Sequence, residues 1–155
     1  MEIDLRSATP SDLDVLATLV SEYYAFDGLR YDDRLTRRAL LELINEERFG
    51  RIWLLELEQL PIGYLILTFG FIVEFHGKHA VIDEVYLRRP YRGRGYFQTA
   101  LVFVEAFCRQ LEIRCLRLEV EDNNEKAQQS YRRAGFRQHG RLLMTKVLEG
   151  ANGHQ

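Results

Sequence analysis

The fold of this chain is decided by the segment Tyr86-Leu87-Arg88-Arg89-Pro90-Tyr91-Arg92-Gly93-Arg94-Gly95-Tyr96-Phe97. It runs from an apolar strand through a basic turn into the start of a helix. Gly93 and Gly95 let the backbone turn without a steric penalty from a Cβ atom, so successive N–H groups can converge on one point. The following helix adds the positive end of its dipole. The segment therefore predicts a turn that binds a phosphate, with its four arginines either around the anion or simply in solvent.

The length and composition of the chain predict one globular domain. A chain of 155 residues with 46% hydrophobic content can bury about 68–70% of its unfolded surface. The formal net charge of −2 gives no general attraction to nucleic acid or to an anionic membrane. The first residues lack the layout of a signal peptide, and no apolar run approaches about 18 residues. We expect a cytoplasmic protein with a single domain at 1–148, a flexible tail at 149–155, and neither nucleic acid nor membrane as a partner.

The cysteines and histidines give no signal for a metal site. Cys108 and Cys115 have no Cys-x-x-Cys or Cys/His ligand spacing, which indicates buried thiols without a redox task. His76 and His79 lie at a turn with no third ligand nearby in the sequence. We therefore expect no bound metal.

The glycine turn is predicted to connect two parallel strands. Ala80 to Leu87 is too apolar for a strand with one wet face and should be central in a sheet. Apolar residues at helical spacing follow in Gln98 to Gln110, and Cys115 to Val120 has the pattern of a strand. Strand, turn, helix and strand form a βαβ crossover, so the turn should lie at the carboxyl ends of the two strands.

The rest of the chain alternates between helix and strand patterns. Before the central strand, we expect a strand, two helices and a strand hairpin at 3–8, 9–28, 32–50, 52–57 and 62–75. After the crossover, we expect a short helix at 124–134 and two strands at 136–141 and 142–148. Tyr24, Phe26 and Asp27 close the first helix and are candidates for binding a substrate, although packing is the commoner role of such aromatic clusters.

Two separated motifs, Arg92-Gly93-Arg94-Gly95-Tyr96-Phe97 and the pattern of Asn124, Ala127, Tyr131 and Gly135-Phe136, resemble those of a known superfamily, the GNAT N-acetyltransferases, which bind acetyl-CoA and acetylate amines. The first, at 92–97, is similar to the family loop Arg/Gln-x-x-Gly-x-Gly/Ala. The second is Asn124-x-x-Ala127-x-x-x-Tyr131-x-x-x-Gly135-Phe136, and it follows the next strand, as in the family. The resemblance implies an α/β (α+β) fold with a mixed, mostly antiparallel central sheet, a parallel pair splayed to admit acetyl-CoA, and helices on both faces.

The resemblance also assigns residues to the coenzyme. The backbone of 92–97 would hold the pyrophosphate, which involves Arg92, Gly93, Arg94, Gly95, Tyr96 and Phe97. The main chain of Val85, Tyr86 and Leu87 would pair with the pantetheine arm. Asn124 would bond that arm and Tyr131 would face the sulfur. Phe97 departs from the family, which has a small residue there, so its side chain should tilt the coenzyme or point back into the core.

The catalytic base has two candidates. Acetylation of an amine with a pKa of about 10.4 needs the neutral form, which costs about 4–5 kcal/mol at pH 7. Glu84 and Asp83 lie on the strand that leads into the glycine turn, where alternation sends them to opposite faces unless a bulge intervenes. We favour Glu84 as the base, and therefore also as a residue that contacts the substrate, with Asp83 as the alternative.

Three other functions fit parts of the sequence. A GNAT-fold acyl-CoA sensor or interaction module would keep the glycine loop without the catalytic groups. A nucleotide-binding protein would need the third glycine of the dinucleotide fingerprint, which is absent. A structural protein would leave the coupled motifs unexplained. An N-acetyltransferase explains most, with a small-molecule or peptide amine as acceptor; since family members are often homodimers, the resemblance also suggests a homodimer.

Overall fold

The computed structural model of the protein describes residues 1–148. The tail expected at 149–155 lies outside the described residues. Five strands and four α-helices run in the order β1 (Asp4–Ser7), α1 (Leu13–Asp27), α2 (Asp33–Asn45), β2 (Gly50–Leu57), β3 (Leu60–Ile72), β4 (Gly77–Leu87), α3 (Tyr96–Gln110), β5 (Cys115–Leu118) and α4 (Glu125–Arg133). Short 3₁₀ turns lie at Pro10–Asp12, Val73–Phe75 and Arg89–Tyr91.

The described residues divide into two compact units, the first being Met1–Leu118 and the second beginning at Glu119. The first unit contains the whole sheet, and the second contains α4. Local signals in the sequence place the helix starts in both. Asp32 accepts a hydrogen bond from Leu35 N at 2.9 Å at the start of α2, and Thr9 N donates to the Asp12 carboxylate at 2.8 Å before α1. Side chains that satisfy the first free N–H groups of a helix fix where it begins.

The sheet of the first unit has the strand order β1-β2-β3-β4-β5. Each neighbouring pair is antiparallel except β4 and β5, which are parallel across the α3 crossover. The expected mixed, mostly antiparallel sheet with one parallel pair is therefore confirmed.

Helices cover both faces of this sheet. Leu54 of β2 is fully buried in a core with Leu16 and Leu19 of α1. Its neighbour Trp53 points to the other face, where its ring makes edge contacts with Phe103 and Phe107 of α3 at centroid distances of 5.5 and 5.0 Å. Because neighbouring side chains of a strand point to opposite faces, α1 and α3 lie on opposite sides of the sheet.

The parallel pairing of β4 with β5 ends before β4 does. The last paired residues are Ile82 and Leu118, whereas β4 continues to Leu87 and stays paired with β3 as far as Gly63. Within the described residues, no strand pairs with 83–87 on the β5 side. The main chain just before the glycine turn thus keeps one hydrogen-bonding edge beyond the ladder.

The prediction of two strands at 136–141 and 142–148 is wrong, because residues 136–148 form neither helix nor strand. Alternating apolar residues indicate a preference for half-buried extended chain, but a strand also needs a partner for its backbone hydrogen bonds. The side chains of Leu142 and Met144 are 91% and 90% exposed. The apolar pattern here was therefore a poor guide to burial.

No helix within residues 1–148 combines the length and apolar character needed to cross a membrane. Those same residues bring together no group of three or more side chains of the types that bind metals.

Candidate active site

The glycine turn has the backbone conformation that its sequence predicts. Gly93 and Gly95 have φ angles of 73° and 82°, in the left-handed region that other residues rarely adopt. A Cβ atom added at either glycine would meet no heavy atom of the described chain within 4 Å. The conformation therefore favours glycine, and the space beside the turn is open to a bound group.

The turn leads directly into the N-terminus of α3. Gly95 is the N-cap residue, and as a glycine it has no side chain of its own to cap the helix. Tyr96 is buried, with 8% of its surface exposed, so its ring anchors the first turn in the core. Phe97 is half-buried. The positive dipole end of an anchored helix suits an external anion.

Two of the four arginines of the turn hold it against α1. Arg88 makes two hydrogen bonds to the Glu22 carboxylate, at 3.0 and 2.8 Å. Arg92 donates to Leu87 O at 2.7 Å, and its guanidinium lies over the rings of Phe26 and Tyr86 at 4.5 and 5.5 Å. These contacts with the protein hold the guanidinium groups of Arg88 and Arg92 in place. Arg89 and Arg94 are exposed.

The carboxylate of Glu84 is held by two tyrosines from other elements. Tyr64 on β3 donates to Oε1 at 2.7 Å, and Tyr24 on α1 donates to Oε2 at 2.7 Å. Desolvation by burial raises the pKa of Glu84, and the two hydrogen bonds act in the opposite direction. A half-buried carboxylate with a raised pKa is a plausible proton acceptor.

A bulge in β4 decides where Glu84 points. Ile66 of β3 pairs with Glu84 while the next residue, Leu67, pairs with Ile82, so Asp83 is an extra residue in β4. The bulge puts Glu84 on the face of Ile66 and Tyr64, towards α1. Asp83 is exposed, although the protein around it desolvates the carboxylate enough to raise its pKa.

Tyrosine rings from α1, β3 and β4 surround this carboxylate. Tyr23 contacts Tyr24 and Tyr86 at centroid distances of 5.7 and 5.8 Å, and Tyr64 contacts Tyr86 at 6.2 Å. The Tyr86 hydroxyl donates to Glu22 at 3.3 Å. The Arg88 guanidinium lowers the pKa of Glu22, so this carboxylate stays charged while Glu84 is the easier one to protonate.

The structure brings some of the predicted substrate residues to Glu84 and leaves others outside the cluster. Tyr24 bonds Glu84 directly. Phe26 is 67% exposed beneath Arg92. Asp27 is exposed and accepts a hydrogen bond from Tyr23 at 3.2 Å. Val85 and Leu87, expected to offer their main chain to the coenzyme, lie in the part of β4 beyond the β5 pairing.

The second unit carries Asn124 and Tyr131. Asn124 is the N-cap of α4, and its Oδ1 accepts from Ala127 N at 3.1 Å. Tyr131 is half-buried on the same helix, its ring lies 6.0 Å from that of Phe136, and desolvation raises its pKa. Asn124 therefore has a structural task in capping, and the roles of both residues towards a coenzyme remain predictions.

Sequence reasoning missed Tyr64 and Glu22. Tyr64 lies within an apolar strand, where its ring was one more core side chain. Glu22 lies on a helix among surface residues, where a lone acid gives no signal. Tyr64 is separated from Glu84 by 20 residues, and Glu22 from Arg88 by 66. Only the strand register and the position of α1 connect these pairs.

A mixed sheet whose parallel pair parts before a glycine turn at a helix N-terminus is the arrangement that the two sequence motifs predict for an N-acetyltransferase fold. Residues 13–136 match the Acetyltransferase (GNAT) family. The chain belongs to this family, which confirms the family and fold expected from the two motifs.

Comparison with individual proteins agrees with this membership. The chain is 37% identical over 71 residues to the uncharacterized N-acetyltransferase YycN of Bacillus subtilis. That match spans 46% of this chain and 45% of the relative, which is less than half of the curated protein. Membership of the family supports the predicted N-acetyltransferase activity.

Solved structures share the fold over nearly the whole chain. An integron cassette protein, HFX_CASS3, from the mobile metagenome of Cole Harbour Salt Marsh is 33% identical, with a TM-score of 0.83 over 94% of this chain and 91% of that one. The aminoglycoside N-acetyltransferase AAC(6')-Iy, solved in complex with CoA, is 12% identical, with a TM-score of 0.80 over 94% and 95% of the two chains. At that identity the second likeness concerns the fold alone.

Proposed function

We propose that the protein is an acetyl-CoA-dependent N-acetyltransferase that transfers the acetyl group directly to a primary amine of a small molecule or peptide. The observation that carries the proposal is the Glu84 carboxylate, held by Tyr24 and Tyr64 on the strand that leads into the glycine turn. A desolvated carboxylate there can take the proton that an alkylammonium must lose before it reacts.

The residues of the turn fit a pyrophosphate. Gly93 and Gly95 have left-handed backbone and open space beside them, and α3 starts with its positive dipole end at this point. Arg94 is exposed at the turn and can add a cation, whereas Arg92 serves mainly through its backbone. Val85, Tyr86 and Leu87 lie beyond the β5 pairing, so their main chain can bond an extended pantetheine arm. Acetyl-CoA, when bound, supplies the activated acetyl thioester.

Glu84 acts as the base, directly or through a water molecule. Burial raises the pKa of Glu84 and so brings it closer to the pKa of an ammonium group. Proton transfer from the ammonium to this carboxylate is therefore less uphill. Asp83 is the alternative base, because it is exposed beside Glu84 at the bulge and its pKa is also raised.

Tyr131 would donate a hydrogen bond to the sulfur of the coenzyme, and Asn124 would bond the pantetheine arm through its amide. Even at ordinary values, proton transfer from a phenol to a thiolate is uphill by about 2 kcal/mol. Desolvation raises the pKa of Tyr131 further, which favours hydrogen-bond donation over full transfer.

Direct transfer in a ternary complex is favoured over an acyl-cysteine. Burial raises the pKa of Cys108 to about 11, and it raises that of Cys115 as well. A thiol that stays protonated at neutral pH is a poor nucleophile. The enzyme is proposed to work in the cytoplasm, and a homodimer is consistent with its family.

The test measures thiol release from acetyl-CoA by the purified protein with a panel of polyamines, aminoglycosides, amino acids and peptides. Release that depends on the amine, together with a mass gain of one acetyl group on that amine, is the expected result. Calorimetric binding of acetyl-CoA without release for any amine would instead favour the alternative, a catalytically silent acyl-CoA sensor or interaction module.

A further inference from the structure

We propose that Tyr64, together with Tyr24, is a positioning residue that holds the Glu84 carboxylate towards α1 and keeps it ionised as a base. The inference rests on the proposed function for its role in catalysis, but its physical content concerns the free protein. It adds Tyr64, a residue without any sequence motif, to the machinery of the site.

The geometry assigns one tyrosine to each oxygen of the carboxylate. Tyr64 reaches Oε1 from the neighbouring strand, and Tyr24 reaches Oε2 from the helix above it, both at 2.7 Å. Within residues 1–148, Glu84 forms no ion pair with a lysine or arginine. Two neutral donors can fix the rotamer of a carboxylate without neutralising its charge, so that the second lone pair of each oxygen remains able to accept a proton.

Tyr64 is rigid enough to act as the fixed donor. Its side chain has no exposed surface and belongs to the core that includes Leu16, Leu54 and Tyr86. It pairs with Tyr86 in the β3–β4 ladder, two residues from the Ile66–Glu84 pair. Tyr64 and Ile66 are two residues apart on β3 and therefore share a face of the sheet. Glu84 lies opposite Ile66, so its side chain points to the same face as Tyr64.

The bulge at Asp83 is what makes this contact feasible. Without an extra residue, positions 82 and 84 would share a face, and the buried side chain of Ile82 lies on the face of Leu67. The bulge reverses the alternation and turns Glu84 to the face of Tyr64. The bulge thus orients the Glu84 carboxylate, and the buried Tyr64 hydroxyl donates a hydrogen bond to it there.

The surroundings of Glu84 act on its ionisation in both directions. The titratable groups that act on it are Tyr24 from α1, Tyr64 from β3 and Asp83 from β4, and Tyr23 from α1 acts in turn on the two tyrosines. Burial and the Asp83 charge both oppose ionisation of Glu84, and the two hydroxyls favour it. Burial and the nearby carboxylate raise the pKa values of Tyr24 and Tyr64 as well, so both stay protonated donors at neutral pH.

The test compares Tyr64→Phe and Tyr24→Phe with Tyr31→Phe as the matched control. Tyr31 belongs to the same ring cluster, since its ring lies 6.2 Å from that of Tyr24, but its hydroxyl bonds Ala17 O and Asp33. The readout is the titration of the Glu84 carboxyl by ¹³C NMR of the free protein, with its signal assigned by its loss in Glu84→Gln.

Losing one hydrogen bond to a charged group should raise the pKa of Glu84 by about one pH unit in either variant. The Tyr31→Phe protein should titrate as the wild type does. Equal titration of Glu84 in all four proteins would overturn the inference. If Tyr64→Phe does not fold, an unshifted titration of Glu84 in Tyr24→Phe, whose side chain is only half-buried, still overturns the joint role of the two tyrosines.

Failure of this inference is distinguishable from failure of the proposed function. The titration needs neither acetyl-CoA nor an amine. A shifted titration without thiol release for any amine would support the positioning role and contradict the enzyme. An unshifted titration with amine-dependent release would support the enzyme and overturn the positioning role.

Discussion

Arg88 donates two hydrogen bonds to the Glu22 carboxylate, at 3.0 and 2.8 Å, and so joins the end of β4 to α1 at the edge of the glycine turn. Both side chains are about one-third exposed, at 32% each. Arg88 also donates to Pro61 O at 3.2 Å, which ties the same guanidinium to the start of β3. This pair therefore connects three elements around the proposed active site.

Glu22→Gln should lower the free energy of unfolding by about 1 kcal/mol near neutral pH, since a partly exposed bidentate pair exceeds the usual surface value only slightly. The folded-state pKa of Glu22 is lowered, so its contribution is present above the unfolded value and is lost as the pH falls through the folded one. Urea denaturation from pH 7 to pH 3 should show a weaker acid dependence in the variant. Glu47→Gln is the control, because its carboxylate is 81% exposed; an equal loss in both would refute a special role for Glu22.

Gly93→Val should weaken the binding of CoA. A β-branched residue is strained at a φ of 73°, so the turn must change its backbone and misdirect its N–H groups. Calorimetry with CoA is the measurement, and we expect a loss of at least about tenfold for roughly 1.4 kcal/mol of misplaced contacts. Gly140→Ala is the matched control, since that glycine also has open space but no positive φ. Unaltered affinity in Gly93→Val would remove the phosphate-binding role.

Glu84→Gln should lower kcat about 10²-fold or more by removal of the general base. In the wild type, activity should rise with pH as Glu84 loses its proton, at a pKa above the ordinary value because burial opposes the charge. In the variant that step disappears, and activity should rise only at higher pH, where the amine itself becomes neutral. The pH profile of kcat/KM is the measurement, with Asp83→Asn compared alongside. If Asp83→Asn loses the step and Glu84→Gln keeps it, Asp83 is the base.

Tyr131→Phe should lower turnover while the affinity for acetyl-CoA changes little. The hydroxyl is proposed to act on the departing sulfur, so its loss should affect the transition state more than the bound state. Steady-state kinetics with calorimetry separates these effects. Removal of the phenolic hydroxyl leaves the ring that contacts Phe136 in place. Unchanged kcat would exclude the role.

Several features could be predicted from the sequence because they are local. Gly93 and Gly95 adopt the left-handed conformation that glycine alone tolerates well, and α3 follows immediately. Asp32 and Asn124 cap helices from the positions that their side chains favour. The parallel pairing of β4 with β5 could be predicted because a helix connects them, and such crossover connections usually join parallel strands.

Other features depended on pairing between distant segments. The apolar segment 142–148 has the pattern of a strand, but no strand forms there, since pattern alone supplies no hydrogen-bonding partner. The contacts of Arg88 and Arg92 also differ from the expectation that the arginines of the turn lie either around an anion or in solvent. Glu22, Phe26 and Tyr86 occupy their guanidinium groups, and none of these contacts has a signal in the sequence near the turn.

The sequence by itself determined the glycine turn, the helix that follows it and the family to which the chain belongs, because these depend on the conformational preferences of neighbouring residues. Only the tertiary structure decided what the carboxylates do. An extra residue in β4 aims Glu84 at α1, and hydroxyls from 20 and 60 residues away hold it there. Strand register and helix packing set those contacts, and both arise only when the whole core is assembled.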